Sequence, residues 1–304
     1  MPGAGPLLRA DFPKAYASRL AFIRELIGPD DWPEVDSQWE RYFNLVSSDR
    51  MKEEWLMYGG FGLFSEMGEN DSVTYDQLLQ GPSKSVTHAL YGKGFQIGYL
   101  AAKHDMDGII AKNAPELGRS LRMSVQTLAA SFWNGAFATQ TTADGQWYFD
   151  SDHTFIRGGG TFSNVASAAL GQTALETAIV SFKKQKDLMG NPMPLRAERI
   201  VIPPDLAPTL HELLDSRLRS DTTTNASNYI WGKLTPEEWP FITSTTQWMV
   251  FSRKEDMKVF WLWNIRPETS HGFDFDKEAA KTKTLFACSF VAVDPRGSYG
   301  STGA

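Results

Sequence analysis

Few residues in this chain could do acid–base or metal chemistry. There are five histidines, His88, His104, His153, His211 and His271, and one cysteine, Cys288. None of the histidines forms an H-E-x-x-H or comparable helical pair, so no helical metal site is encoded. Asp150, Ser151, Asp152 and His153 bring two carboxylates, a hydroxyl and an imidazole into four consecutive positions. A hydrolytic triad is assembled in space from separate segments, and the nucleophile-elbow sequence is missing. The run therefore reads as a turn fixed by local hydrogen bonds, with a soluble hydrolase using Asp152 and His153 as the rival. Asp105 and Asp107 copy a fragment of a calcium loop without its later ligands, and a solvated helix start explains them. Gly158, Gly159 and Gly160 are followed by no Lys-Ser/Thr, so they form a flexible loop and not a phosphate cradle. No cofactor, metal or catalytic site is expected.

The bulk numbers agree. A chain of 304 residues can bury a large core without staples. Cys288 lies in the apolar run Leu285 to Val293 and reads as a small buried hydrophobe in a protein made in a reducing compartment. A net charge of -6 argues against a dedicated nucleic-acid binder, leaving room only for weak contact with a packaged polymer. Met1 to Phe12 has no apolar core of signal-peptide length, and no stretch approaches the ~20 apolar residues of a membrane span. The expectation is a soluble chain, cytoplasmic where it is made, with no membrane partner.

The elements follow from spacing and punctuation. Pro2 to Pro13 reads as an arm ordered only on contact. Tyr16, Leu20, Ile23 and Ile27 predict a helix closed by Gly28 and Pro29, and Trp39, Phe43 and Val46 predict a second over Pro33 to Val46. Between Trp55 and Tyr99, aromatic residues alternate with glycines. Tyr91, Phe95, Ile97 and Tyr99 share one strand parity, which predicts a long hairpin with a polar tip within Glu66 to Lys84. So glycine-rich a hairpin needs a surface to lie on, either its own domain or a neighbouring subunit.

Leu117, Leu121, Val125, Leu128, Phe132 and Ala136 keep one face of a helix after His104, with Pro115 in its first turn. Gln146 to Phe149 reads as a strand. From Ala166 to Ser216 the order is helix, strand, helix. Val165, Ala168, Leu175, Ile179 and Phe182 form the first stripe, which ends near Leu188; Arg199 to Ile202 is the strand; Asp205 caps a helix carrying Leu210, Leu213 and Leu214. Ser220 to Asn228 is a polar loop. Strands follow at Phe241 to Phe251, Lys258 to Ile265 and Thr284 to Val293, the last two apolar on both faces.

Several of these segments resemble the Mu-type major head protein family of tailed bacteriophages. DGQWYFDSDH at Asp144 to His153 looks like a family signature. In order follow Ser163 and Asn164, the KKQKDLMGNPMPL turn, RIVIPPDLAPTLHELLDS, Asn225 and Asn228 with Trp231-Gly232, WPFITSTTQWMVF, and Asp294 to Gly297. Upstream, Tyr91 to Phe95 leading to Asp105 is similar to the family's run into its long helix.

That resemblance implies an α+β, Hong Kong 97-like capsid fold. Residues 1–54 would be an N-terminal arm with short helices and 55–99 an extended β-hairpin loop. Residues 100–145 and 266–304 would form a peripheral domain with a long spine helix, and 146–265 an axial domain. It also implies that the extended loop lies across a neighbouring subunit, with Tyr58, Phe61, Phe64, Tyr75, Tyr91 and Phe95 as inter-subunit contacts. The expected function is that of a major capsid protein, assembling in the host bacterial cytoplasm as hexamers and pentamers into the icosahedral shell of a virion around double-stranded DNA. Its further partners would be a portal protein and decoration proteins, with a separate scaffold or none. An encapsulin-like nanocompartment shell is the rival with the same fold.

Overall fold

Strands β8 (Arg199–Ile202) and β10 (Trp248–Phe251) set the architecture, because every second side chain of a strand points to the opposite face. In them Ile200, Ile202, Trp248 and Val250 enter one hydrophobic cluster, while Val201, Met249 and Phe251 enter another. The sheet they belong to is therefore covered on both sides, which is why these segments read as unbroken apolar runs. Its strand order is β7 (Val165–Ala166), β13 (Ser298–Ser301), β10, β8, β9 (Thr235–Glu238). The structure is a computed structural model that describes residues 34–303 except 70, 74, 105–108, 157–159 and 219–226.

On one face of this sheet lie α2 (Gln172–Lys184) and α3 (Ala207–Asp215), which contribute Leu175, Ala178, Ile179, Phe182, Leu210, Leu213 and Leu214 to a shared core. The helix α2 starts later than the sequence pattern suggests: Val165 is in β7 and Ala168 precedes the helix, whose last residue is Lys184 and not Leu188. Asp205 does not cap α3 but sits in a short 3-10 turn, Pro204–Leu206, that runs into it.

The other face meets an aromatic core shared with a second sheet, ordered β1 (Asn44–Ser47), β11 (Lys258–Asp274), β12 (Ala279–Asp294), β4 (Ala89–Gly98). Trp39, Tyr42, Phe43, Phe132, Trp133, Tyr148, Phe149, Trp239, Trp261 and Trp263 fill it, many at tilted or edge-on ring geometry. Each such side chain stabilises by roughly 1.5–3 kcal/mol on burial, so this core dominates the fold. α1 (Ile109–Asn134) has 26 residues and is about 39 Å long at 1.5 Å per residue. It buries Leu117, Leu121, Val125 and Phe132 as their spacing predicts. Pro115 lies inside the helix and not in its first turn, and its ring faces outward. Asn134 ends the helix by bonding Phe241 O and Thr243 N–H.

Two other expectations give way to tertiary demand. Glu34–Arg41 is a 3-10 segment, and Asn44–Ser47 is a parallel strand on β11 instead of the tail of a helix. Trp39 and Phe43 are buried all the same, and the Asn44 amide is bonded by the Lys254 and Met257 carbonyls. Gln146 to Phe149 is no strand but a loop folded back on the end of α1, with Tyr148 N–H on Gln140 O and Phe149 N–H on Ala136 O. Only Trp248–Phe251 of the predicted Phe241 to Phe251 strand is extended in a sheet, whereas β11 and β12 are longer than predicted. The helix expected over Pro13 to Ile27, Asp105, Asp107, Gly158, Gly159 and most of Ser220 to Asn228 lie outside the described residues. No helix of the described residues is long and apolar enough to cross a membrane.

Candidate interaction surface

The hairpin expected across 55–99 is divided in two. β2 (Lys52–Tyr58) pairs antiparallel with β3 (Gln80–Thr87), from Lys52 opposite Thr87 to Tyr58 opposite Gln80. β4 leaves the hairpin and pairs along its whole length with β12. The reason is side-chain burial: Tyr91 stacks on Phe286 at 5.2 Å and packs on the aromatic core, and Ile97 is buried, so β4 belongs to the body.

The base of the hairpin is fixed. Trp55 stacks on Phe260 with ring centroids 4.3 Å apart, and Met57 packs with Ala143, Leu262, Val291 and Val293 on the outer face of the four-stranded sheet. Lys84 donates to the Thr141 carbonyl and, at 2.8 Å, to the Thr141 hydroxyl. Burial lowers the Lys84 ammonium from its ordinary value, and the negative charge of Asp144 works against that shift.

Beyond Tyr58 the chain leaves this support. Residues 59–79 form no helix or strand among the described positions, and they are closed at the neck by Gly59 N–H on Leu79 O at 2.8 Å. Asp76 accepts from Gly62 N–H and Asp71 from Gly68 N–H, so carboxylates shape the loop locally. Its large apolar side chains point outward: Tyr58, Phe61, Leu63, Phe64, Met67, Val73, Tyr75 and Leu78 are all exposed, Tyr75 at 91% and Phe64 fully. A contiguous exposed patch of this kind marks a surface that something else covers. The loop also carries Glu66, Glu69, Asp71 and Asp76 and no Lys or Arg.

Of the six residues singled out from sequence, Tyr58, Phe61, Phe64 and Tyr75 stand together on this projection. Tyr91 stands apart from them: partly buried, it packs on the aromatic core of its own chain. Phe95 is half-buried on β4. The pattern search for aromatic residues missed Leu63, Met67, Val73 and Leu78; the signal that finds them is the count of apolar side chains between glycines that no strand can use.

The polar run Asp150 to His153 is structural. His153, on β5 (His153–Thr154), which pairs with β6 (Thr161–Phe162), is fully buried; its Nδ1 lies 2.8 Å from Asp144 Oδ2 and its Nε2 3.3 Å from Tyr148 O. Both ring nitrogens are thus occupied by groups of its own chain. Asp152 is exposed and its carboxylate accepts from the Ser151 hydroxyl while His153 is held by Asp144 and Tyr148, so the pair proposed for a hydrolase is not assembled. Asp150 serves as a turn acceptor for the N–H groups of Ser151 and Asp152. Among the described residues no group of three or more His, Cys, Asp and Glu could hold a metal ion.

A family model described as phage capsid protein matches residues 83–300. No curated protein sequence matches the chain. Among solved structures, the chain is similar to the capsid of Ralstonia phage GP4, with TM-score 0.58 and 11% identity over 87% of this chain and 88% of that one. It is similar to the bacteriophage JBD30 capsid decorated with minor capsid protein trimers, with TM-score 0.56 and 13% identity over 71% and 93%. The virus-like particle from Pyrococcus furiosus gives TM-score 0.52 and 6% identity over 92% and 96%. At these identities the likeness is one of fold, and that fold is the Hong Kong 97-like capsid architecture of mixed helix and sheet.

Proposed function

The chain belongs to the phage capsid protein family, and on that premise we propose that its copies associate as hexamers and pentamers and close into an icosahedral shell around a double-stranded DNA genome. It is a shell-forming capsid subunit of a virion and not an enzyme. The observation that carries the assembly scheme is the loop 59–79, which exposes eight large apolar side chains if Tyr58 at its neck is counted. Tyr, Phe and Met are the residues that subunit interfaces favour, and here Tyr58, Phe61, Phe64, Met67 and Tyr75 supply them. The loop lies across an adjacent subunit, where those rings are covered. Individual contacts need not be tight, because each copy meets several neighbours and closed symmetry adds the contacts together.

In this reading residues 55–99 are the extended loop with its return strand, α1 the spine of a peripheral domain, and the two-helix sheet half an axial domain. The order of the motifs from Asp144 to Gly297 supports the Mu-type branch of the family. The subunit assembles in the host bacterial cytoplasm, with a portal protein, a scaffold, and decoration proteins such as the trimers on the JBD30 capsid as further partners. The rival, a cellular compartment holding protein cargo, has the fold likeness to the Pyrococcus particle in its favour; the family match over 83–300 favours the phage shell. Electron microscopy of the expressed protein, followed by nuclease treatment of purified virions, tests the proposal. Closed shells with nuclease-protected DNA are expected, and particles filled with protein alone would favour the rival.

A further inference from the structure

Ile230 is fully buried against α2 and α3, and the turn that carries it puts its neighbours Tyr229 and Trp231 on the surface. Asn228 fixes this turn. Its amide group donates to Leu213 O and Ser216 O at the end of α3, and its side-chain oxygen accepts from Gln172 of α2 and from Ile230 N–H.

Three separate elements bring cations to the two exposed rings. Lys233, on the same turn, holds its ammonium 2.8 Å from the centroid of Tyr229. Lys183, from the last turn of α2, reaches the Tyr229 hydroxyl at 3.3 Å. Arg217, just past α3, lays its guanidinium 4.8 Å from the centroid of Trp231. Hydrogen bonds from Lys183 and then Lys233 hold the Tyr229 hydroxyl below the ordinary phenol range. Among the described residues no carboxylate closes an ion pair on any of the three cations. Of the acids on these helices, Glu176 accepts from Gln172 and Asp215 lies 3.3 Å from His211. In a chain of net charge -6, three cations are held here against two aromatic rings.

We propose that Lys183, Arg217 and Lys233 form a phosphate-contacting corner that takes the backbone of double-stranded DNA without reading its sequence. An arginine fork and two lysine point charges suit phosphate oxygens. A stacking platform for unpaired bases needs free ring faces, and here the faces of Tyr229 and Trp231 already carry cations, which favours duplex over single strands. The cation–ring contacts keep three long side chains ordered at the surface before any phosphate arrives. The proposal rests on the reading that the shell encloses DNA.

The test is fluorescence anisotropy of a labelled, random-sequence duplex with the full chain dissociated from its shells, titrated over salt concentration. Each phosphate contact contributes about 0.9 to the slope of log affinity against log salt. The triple variant Lys183→Gln, Arg217→Gln, Lys233→Gln should lose roughly two to three from that slope and at least about tenfold in affinity at low salt. Scrambling the duplex sequence should change nothing. Lys183→Gln and Lys233→Gln singly should each lose about one from the slope, and these single variants decide the matter if the triple variant does not fold, while Lys183→Arg with Lys233→Arg should bind as the wild type does. Unchanged DNA binding in the triple variant overturns the proposal, as does lost shell assembly with retained DNA binding, which would make the corner a subunit contact. Virions without nuclease-protected DNA, built from a wild-type chain that binds duplex through these residues, would sink the genome-container reading and leave the corner standing.

Discussion

His153 Nδ1 lies 2.8 Å from Asp144 Oδ2 with both side chains buried, and this contact ties the first residue of β5 to the middle of the loop between α1 and β5. Thr142 also donates to Asp144 through its hydroxyl, and His153 stacks on Phe162. The residues that looked most like chemistry in the sequence thus hold a turn in place.

The first prediction concerns that pair. Burial alone raises the Asp144 carboxyl, but hydrogen bonds from His153, Thr142 and Gln146 N–H, with the charge of His153, outweigh it and hold the carboxyl below the ordinary range. A group with a depressed folded pKa contributes stability that is complete above its unfolded value, about 3.9, and is lost as pH falls through the folded value. Asp144→Asn weakens the hydrogen bonds that a charged acceptor makes to His153, Thr142 and Gln146 N–H and should cost on the order of 1.5–3 kcal/mol at neutral pH. Thermal melts of both proteins from pH 7 downward should converge below about pH 4. A gap that stays constant with pH would show that the Asp144 carboxylate is not the source of the loss.

The second prediction concerns Cys288. It is buried on β12, and burial pushes its thiol up to about 12. The thiolate is the reactive form, so the native protein should resist a thiol reagent such as Ellman's at pH 8 and react once unfolded in guanidinium. Prompt labelling of the native chain would contradict the packing described for β12.

A third follows from Lys84. Replacing it by Met keeps the apolar stem and removes two charge-assisted hydrogen bonds to Thr141. Amide exchange in β2 and β3 should accelerate about tenfold or more, a loss within the roughly 1.5–3 kcal/mol expected for hydrogen bonds from a charged donor. Exchange in α1 should be unaffected. An equal acceleration in both would mean that Lys84 supports the whole fold and not the hairpin's attachment.

Much of the body was legible in the sequence because its elements are apolar at a fixed period. Arg199 to Ile202 is a strand bounded as its β-branched run and Pro203 demand, and the Leu117 to Phe132 stripe lies on one helix face. Legibility failed where a side chain serves a distant partner. Asn44 and Trp39 would tolerate a helix locally, yet the first bonds the 254–257 turn and the second packs at a tilt against Trp261, ring centroids 4.6 Å apart. Tyr91 and Phe61 sit in equally glycine-rich surroundings, and only the pairing of β4 with β12 sends one inward and leaves the other exposed. The corner around Tyr229 was invisible for the same reason, since Lys183 and Lys233 come to Tyr229 and Arg217 to Trp231 on a turn that Asn228 ties to α2 and the end of α3.

The claim on which the assembly scheme rests is that residues 60–78 are the covered projection between neighbours. Replacing them by Asn-Gly would close β2 and β3 with a two-residue turn between Gly59 and Leu79, leaving the hairpin base and both cores untouched. Sedimentation velocity of that variant should give a small species with wild-type circular dichroism where the full-length chain gives shells. Shells at wild-type yield from the shortened chain would contradict the account.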